Sequence, residues 1–157
     1  AEGVAYYNRT SPTDTLFTLG AGGENNTLNE EMIAYLWAPK PGYSKFGRYT
    51  GNDNVNGNVI HLGFRPSYVM IKGITQGWPW MIWDTSRNTS NPSTQILKAN
   101  ETQNQSDASS TAVIIDILSN GFKLRNAGQM NQAADYAYIA FAEHPFGGEN
   151  TPPANAR

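Results

Sequence analysis

The sequence predicts an all-β protein folded as a two-sheet antiparallel β-sandwich. Asn, Gly, Ser and Thr are abundant (17, 15, 10 and 13 residues), whereas only 15% of the residues are charged. Aromatic residues, which favour strands, make up 11% of the chain. Turn-forming residues recur so often that they leave only short segments between them, a spacing typical of a sandwich and not of alternating strands and helices.

Four segments rich in β-branched and aromatic residues are the clearest predicted strands: 59–64, 67–72, 80–84 and 112–118. Asn120-Gly121 lies between two apolar segments and is the strongest hairpin signal, because both central residues of a type I′ turn need a positive φ.

A partial internal repeat gives two further predictions. Residues 16–19 and 33–38 resemble residues 121–124 and 137–142. In the second copy, residues alternate with a period of two and are apolar on both faces, which is typical of a strand covered on both sides. We therefore predict a strand over 32–38. The alternative is a short helix after the capping-box spacing of residues 27–30, which Pro39 would soon end.

The repeat also sets the expected organisation. Residues 1–43 correspond to the closing half of one repeat unit, and residues 44–157 to a complete following unit. We predict one sandwich domain, 1–157, in which the first part supplies strand partners to the second, since unpaired strands would leave exposed sheet edges. The alternative is that residues 1–43 belong with an upstream domain. Because the sequence begins with Ala1 and no signal-like stretch follows, we expect a processed or excerpted segment.

Composition argues against several classes of protein. A net charge of −2 gives no electrostatic footprint for nucleic acid. The absence of cysteine removes disulfides and thiolate chemistry, and the longest apolar runs are too short for membrane insertion. With only two histidines, His61 and His144, and neither in a recognisable motif, we predict no metal centre and no cofactor.

An ordered set of segments carries a resemblance to a known family. They are residues 42–52, 63–72, 83–85, 115–125 and 138–146, followed by the ending 154–157. Together they resemble a domain of unknown function found, often repeated or C-terminal, in predicted virion proteins of tailed bacteriophages from aquatic hosts. The resemblance implies a concanavalin-like lectin/glucanase jelly roll. The chain departs from the family at Pro39 and Lys40, where relatives tend to have Glu, and in its compact 78–80 segment.

A cluster of aromatic and charged residues is the candidate binding site. Trp78, Trp80 and Trp83 lie beside Asp84 and Arg87. Aromatic faces stack on sugar rings, and neighbouring charged groups can hydrogen-bond to hydroxyls. Strand alternation would place Trp78, Trp80, Ile82 and Asp84 on one face and Pro79, Met81 and Trp83 on the other. We predict that Trp78, Trp80, Asp84 and Arg87 contact a glycan. In the competing interpretation, Trp80 and Trp83 are largely structural.

Other motifs are assigned structural roles. Residues 52–57 resemble a calcium loop but lack its closing glutamate, so we predict a hairpin turn. The carboxylates do not pair with the spacing that glycoside hydrolysis needs, so we predict no enzymatic activity. Residues 99–111 are predicted to form a surface loop. Five Asn-x-Ser/Thr sequons are attributed to composition: Asn8, Asn25, Asn88, Asn100 and Asn104.

The resemblance leads to the functional expectation. We expect a non-enzymatic module on the virion surface, part of a tail fibre or appendage, that contacts host-surface glycans and other virion subunits. A homo-oligomer, with a trimer favoured, is expected because fibres are commonly trimeric. The alternatives are a capsid decoration or head-fibre protein without a receptor role, and a polysaccharide-degrading tailspike enzyme.

Overall fold

A computed structural model of the protein describes residues 10–23, 25–102, 105–107 and 113–145. No helix occurs among these residues, and none of them could cross a bilayer as a helix. The chain divides into two compact units, Ala1–Trp37 and Ala38–Arg157. All the strands lie in the second unit.

The second unit is a β-sandwich, which confirms the predicted fold class. Two antiparallel sheets are present, one with the strand order β1-β9-β3-β4-β5-β6 and the other with the order β2-β8-β7. The strands are β1 Ser44–Thr50, β2 Val59–His61, β3 Pro66–Gly73, β4 Met81–Asp84, β5 Gln95–Lys98, β6 Ser106–Asp107, β7 Ile115–Leu118, β8 Gly121–Leu124 and β9 Asp135–Ala142.

The core lies between the two sheets, and strand alternation selects its residues. On β3, Val69 and Ile71 are fully buried, and they pack with buried residues of the smaller sheet such as Ile115 and Phe122. Phe122 meets Tyr138 of the large sheet edge-on, with ring centroids 5.8 Å apart. The hydrophobic effect on this single buried face holds the sheets together.

The opposite side of the large sheet, here called the outer face, faces away from the smaller sheet. Register places one row of apolar residues across five strands, because Ile139 lies opposite both Phe46 and Met70, and the row continues through β4 and β5. Its members are Phe46, Ile139, Met70, Ile82 and Leu97. They remain partly exposed, so the prediction that the 137–142 strand is covered on both sides is wrong among the described residues.

The hairpin β7–β8 is present, but not with the predicted turn. Leu118 pairs with Gly121, so the two turn residues are Ser119 and Asn120. Neither Asn120 nor Gly121 has a positive φ, and the type I′ prediction is therefore wrong. Gly121 is needed for another reason, since a Cβ at this position would lie 2.0 Å from the carbonyl oxygen of Ile60 on β2.

A side-chain amide covers the free edge of β7. The Asn91 Nδ2 donates to the carbonyl of Ile117 at 2.8 Å, and the Ile117 N–H donates to Asn91 Oδ1 at 2.8 Å. Ser93 forms a backbone bridge to Ile115 beside it. The loop before β5 thus pairs with the edge of β7 as a short strand would.

The first unit contains no strand among residues 10–23 and 25–37. The predicted strand over 32–38 is wrong for this chain, because no neighbouring strand pairs with it. The described residues before Ser44 therefore supply no strand to either sheet, contrary to the predicted organisation, although Lys40 forms an isolated bridge with Ser44. Instead, Ile33, Tyr35 and Leu36 expose 81%, 73% and 70% of their surface.

Candidate functional site

The predicted aromatic site lies around β4 and the loops at its two ends. Met81 and Trp83 face the core, and Ile82 and Asp84 face outward, as the alternation predicted. Trp83 is fully buried, and its indole Nε1 has no hydrogen-bond partner in the described structure. Trp83 is therefore a core residue and is not available to a ligand.

Trp80 is the tryptophan that stays on the surface. It directly precedes β4, so alternation places its side chain on the outer face with Ile82 and Asp84. Its N–H donates to Asn100 Oδ1 at 2.8 Å, and its carbonyl accepts from the Ala99 N–H at 2.9 Å. With both backbone groups bonded and 37% of its surface exposed, Trp80 presents an indole from a fixed backbone.

Trp78 has a mixed environment. It packs against the core, where its ring stacks on Tyr136 with centroids 6.1 Å apart and planes 14° apart. The Lys72 ammonium secures the surrounding loop by donating to the carbonyls of Gln76 at 3.1 Å and Trp78 at 2.7 Å. Trp78 is only partly exposed. The structure thus separates it from Trp80, since one ring lies on the core and the other on the outer face.

Asp84 and Arg87 come together as an ion pair at the end of β4. The carboxylate accepts hydrogen bonds from the N–H groups of Ser86 (3.0 Å) and Arg87 (2.9 Å) and also contacts the guanidinium Nη2. Burial favours the neutral acid, but these groups of Arg87 and the Ser86 N–H outweigh it and hold the pKa of Asp84 below its usual value. Asp84 is therefore engaged in closing its own loop.

Arg87 keeps unused donor groups. Its side chain exposes 16% of its surface, and its Nε and Nη1 atoms are buried without a hydrogen-bond partner in the described structure. An unsatisfied buried donor is costly, by about 1–3 kcal/mol. Because these two atoms are buried, the described structure does not present them to a ligand at the surface.

An aromatic group on the outer face was missed by the sequence analysis. Phe141 lies at the centre of Tyr43, Phe46 and Tyr68, with each ring centroid 5.9 Å from that of Phe141. Tyr68 lies directly opposite Asp84 on the adjacent strand, and burial raises its pKa. This aromatic group depends on the register between three strands that are distant in sequence. The spacing of residues along the chain does not reveal that register.

The loop of residues 52–57 is held by amide hydrogen bonds, but it is not the predicted hairpin turn, because β1 and β2, which it connects, lie in different sheets. Asn52 Oδ1 accepts from the Asn54 N–H, and Asn54 Oδ1 accepts from the Asn56 N–H. Asn131, which is fully buried, donates through Nδ2 to Asn52 Oδ1 (2.9 Å) and to the carbonyls of Asn54 (2.8 Å) and Asn126 (2.6 Å). The side-chain oxygens of Asn52 and Asn54 thus serve the backbone of their own loop.

The remaining candidates are separated from one another. Carboxylates pair with cations in three further places: Glu143 with Arg65, Glu101 with Lys98, and Asp116 with Arg125. Among the described residues, no three His, Cys, Asp or Glu side chains form a group that could hold a metal. His61 contacts Asn120 at 3.3 Å, and His144 is exposed.

The sequons and the predicted surface loop are only partly described. Asn88 Oδ1 accepts from the N–H groups of Thr94 and Gln95, and Asn100 Oδ1 bonds to Trp80, so both residues have structural contacts. Asn8 and Asn104 lie outside the described residues. Within the predicted 99–111 loop, Ser106–Asp107 forms β6 against β5.

Comparison with known proteins gives one match. The sequence profile of the domain of unknown function DUF7483 matches residues 1–145, which is most of the chain. No curated protein and no solved structure matches the sequence.

Proposed function

We propose a carbohydrate-contacting surface module as the function of this chain, which belongs to the DUF7483 family of domains of unknown function. The module would lie in a tail fibre or similar appendage of a tailed-phage virion and contact glycans on the host surface. The ordered segments of the sequence resemblance support the virion setting. The same resemblance supports a concanavalin-like jelly roll as the finer description of the sandwich, and a trimeric assembly.

The observation that carries the binding role is the placement of Trp80. Hydrogen bonds fix the backbone of Trp80 at both its N–H and its carbonyl, whereas its indole stays exposed on the outer face. Aromatic rings offered from rigid strands supply contact area to a ligand at little entropic cost. Tyr68 lies on the same face, directly opposite Asp84, and its phenol adds a hydroxyl beside the aromatic surface. This combination suits the apolar face and hydroxyl rim of a sugar ring.

The arrangement of the carboxylates supports binding without hydrolysis. Glycoside hydrolysis uses two carboxyl groups about 5–10 Å apart across the scissile bond. Here Asp84, Asp116 and Glu143 each contact an arginine of their own. An arginine at the carboxylate occupies an oxygen that the reaction would require.

A glycan array tests the proposal on the full chain. We expect the wild-type protein to bind a subset of bacterial surface glycans, and Trp80→Ala to weaken that binding at least tenfold. Leu97→Ala is the matched control, because Leu97 lies on the same face with 38% exposure but has no aromatic ring. Binding that is equally weakened by both substitutions, or unaffected by Trp80→Ala, contradicts the assigned site.

Two further measurements separate the alternatives. New reducing ends released from capsule or lipopolysaccharide would identify a tailspike-type enzyme. Gold-labelled antibody on the phage head, together with soluble protein that does not compete with adsorption, would identify a capsid decoration protein. We expect labelling on the tail appendage and competition with adsorption.

A further inference from the structure

The first unit repeats the end of the second unit in sequence. Phe17 and Leu19 lie 105 residues before Phe122 and Leu124 of β8, while 33–38 lies 104 residues before 137–142 of β9. A single extra residue in the first copy accounts for the change in offset. The segment 13–38 thus corresponds to the hairpin turn, β8 and β9 of the sandwich.

One local structure recurs at the same offset. The Thr13 N–H donates to the Leu16 carbonyl at 2.8 Å, and the residues 105 positions later, Leu118 and Gly121, form the closing pair of the β7–β8 hairpin. This contact supports the repeat independently of the apolar pattern. The Asn26 Nδ2 donates to the Gly20 carbonyl at 2.8 Å, whereas Asn131, 105 residues after Asn26, donates to Asn126, one residue beyond the counterpart of Gly20.

The side chains that face the core in β8 and β9 have counterparts around an open cavity. Phe17, Leu19, Met32, Ala34 and Leu36 line a hollow of about 520 Å³ within the first unit. Their counterparts in the second unit are buried against the rest of the core: Phe122, Leu124, Tyr136, Tyr138 and Ala140. Thr18, Ile33 and Tyr35 line the same hollow, so the two segments of the first unit surround it with residues of both faces.

The backbone of this segment also lacks partners. Residues 32–37 make no backbone hydrogen bond to another described residue, whereas β9 pairs with β1 on one side and β3 on the other. A small apolar ligand could fill the hollow but would leave these peptide groups unpaired. Strands can do both, because they bring side chains to the cavity and N–H and C=O groups to the edges.

We propose that residues 13–38 are the closing strands of another copy of this sandwich, and that a second set of strands equivalent to β1–β7 is their partner. Residues 16–19 pair as β8 does, and 33–38 lies between the counterparts of β1 and β3. The connection 39–43 then leads from the last strand of one copy into β1 of the next. Copies of the fold are thereby joined in a head-to-tail array.

A fusion that supplies the missing strands tests this inference. Residues 38–118 are placed directly before residue 14 of the chain, because Thr13 is the counterpart of Leu118. The fusion also carries Leu16→Gly, because Gly121, the counterpart of Leu16, leaves no room for a Cβ beside the Ile60 carbonyl of β2. We expect amide exchange at 16–19 and 33–38 to slow at least about a hundredfold relative to the chain 1–157. A second fusion, in which residues 38–142 are placed before residue 39, serves as the reference for full protection, because it contains two complete sets of β8 and β9.

The controls decide between this inference and its alternatives. Leu36→Asp in the fusion should abolish the protection, because its counterpart Ala140 is fully buried. Exchange that stays as fast as in the chain 1–157, or protection that survives Leu36→Asp, overturns the proposal. So does equal protection of the unmodified chain by palmitate, which would identify a lipid cavity. Glycan binding through Trp80 is unaffected by any of these results.

Discussion

Trp83 and Trp80 lie three residues apart on opposite faces of one sheet, and the structure uses them differently. Trp83 is fully buried between the sheets, whereas Trp80 keeps 37% of its surface exposed. The core face of the large sheet is closed by the smaller sheet, while the outer face carries an apolar row that the described residues leave partly open. The difference shows that one strand can supply stability on one side and contact surface on the other.

The largest expected effect is on the core side. Trp83→Ala should lower the free energy of unfolding by about 3–5 kcal/mol, because it opens a cavity in a close-packed region. Trp80→Ala should cost at least about 1 kcal/mol less than that, because 37% of the Trp80 surface is already exposed in the folded protein. Urea unfolding followed by circular dichroism measures both. Similar losses for the two variants would remove the distinction between the faces.

Trp83→Phe refines the same comparison. Phenylalanine keeps most of the apolar volume and removes the indole N–H, which has no partner in the described structure. Its loss of stability should therefore be smaller than that of Trp83→Ala by at least about 1 kcal/mol.

The second largest effect is expected at Asn131, whose side chain is buried as completely as Trp83. Asn131→Ala leaves the carbonyls of Asn54 and Asn126 without their donor and should cost about 2–4 kcal/mol. The matched control is Asn54→Ala in the exposed part of the same loop, with an expected cost below about 1 kcal/mol. Equal costs would show that the loop does not depend on its buried residue.

Alkaline pH should destabilise the protein through the buried tyrosines of the core face. Burial raises the pKa of Tyr136 to about 12 and that of Tyr49 further. Both tyrosines ionise more readily when unfolded, so their contribution to stability is complete below pH about 10 and is lost as the pH rises through the folded pKa. Spectrophotometric titration should show a late group of tyrosines that ionises with unfolding. Titration of every tyrosine near pH 10 in folded protein would contradict this burial.

The smallest effect is expected at Asp84 on the outer face. Its lowered pKa means that its contribution is present above pH about 4 and is lost as the pH falls through the folded pKa. Because the side chain is 25% exposed, Asp84→Asn should cost no more than about 1 kcal/mol at pH 7. The variant should also flatten the acid limb of the stability profile, and an acid limb unchanged from that of the wild type would contradict the contribution of Asp84.

Local pattern was enough to predict the β class, β3, β4 and the position of Trp80 and Trp83 on opposite faces, because alternation of side chains along a strand is a local property. It did not predict which of the two faces is the core. It did not predict β1, whose apolar pattern is interrupted by Gly47. That glycine is explained by a distant residue, since a Cβ there would lie 2.6 Å from the Tyr138 hydroxyl.

The candidate site was predictable only in part, for the same reason. Asp84 and Arg87 are near in sequence and do pair, but the Phe141 aromatic group and the buried Asn131 depend on residues brought together from several strands and loops. The predicted strand over 32–38 is wrong although its residue pattern resembles that of β9, because no described strand lies beside it. The residue pattern shows that a segment can form a strand, but the strand forms only where a second strand lies beside it to pair with its backbone.

The Asn91 amide has a consequence for how copies of this protein meet. Its two hydrogen bonds use both the N–H and the carbonyl of Ile117, and Ser93 does the same for Ile115. The outward N–H and carbonyl groups of Ile115 and Ile117 are therefore not free to pair with an added strand at this edge of the smaller sheet. Crowded molecules are kept from adding strands there, so the smaller sheet does not grow from this side into an aggregate.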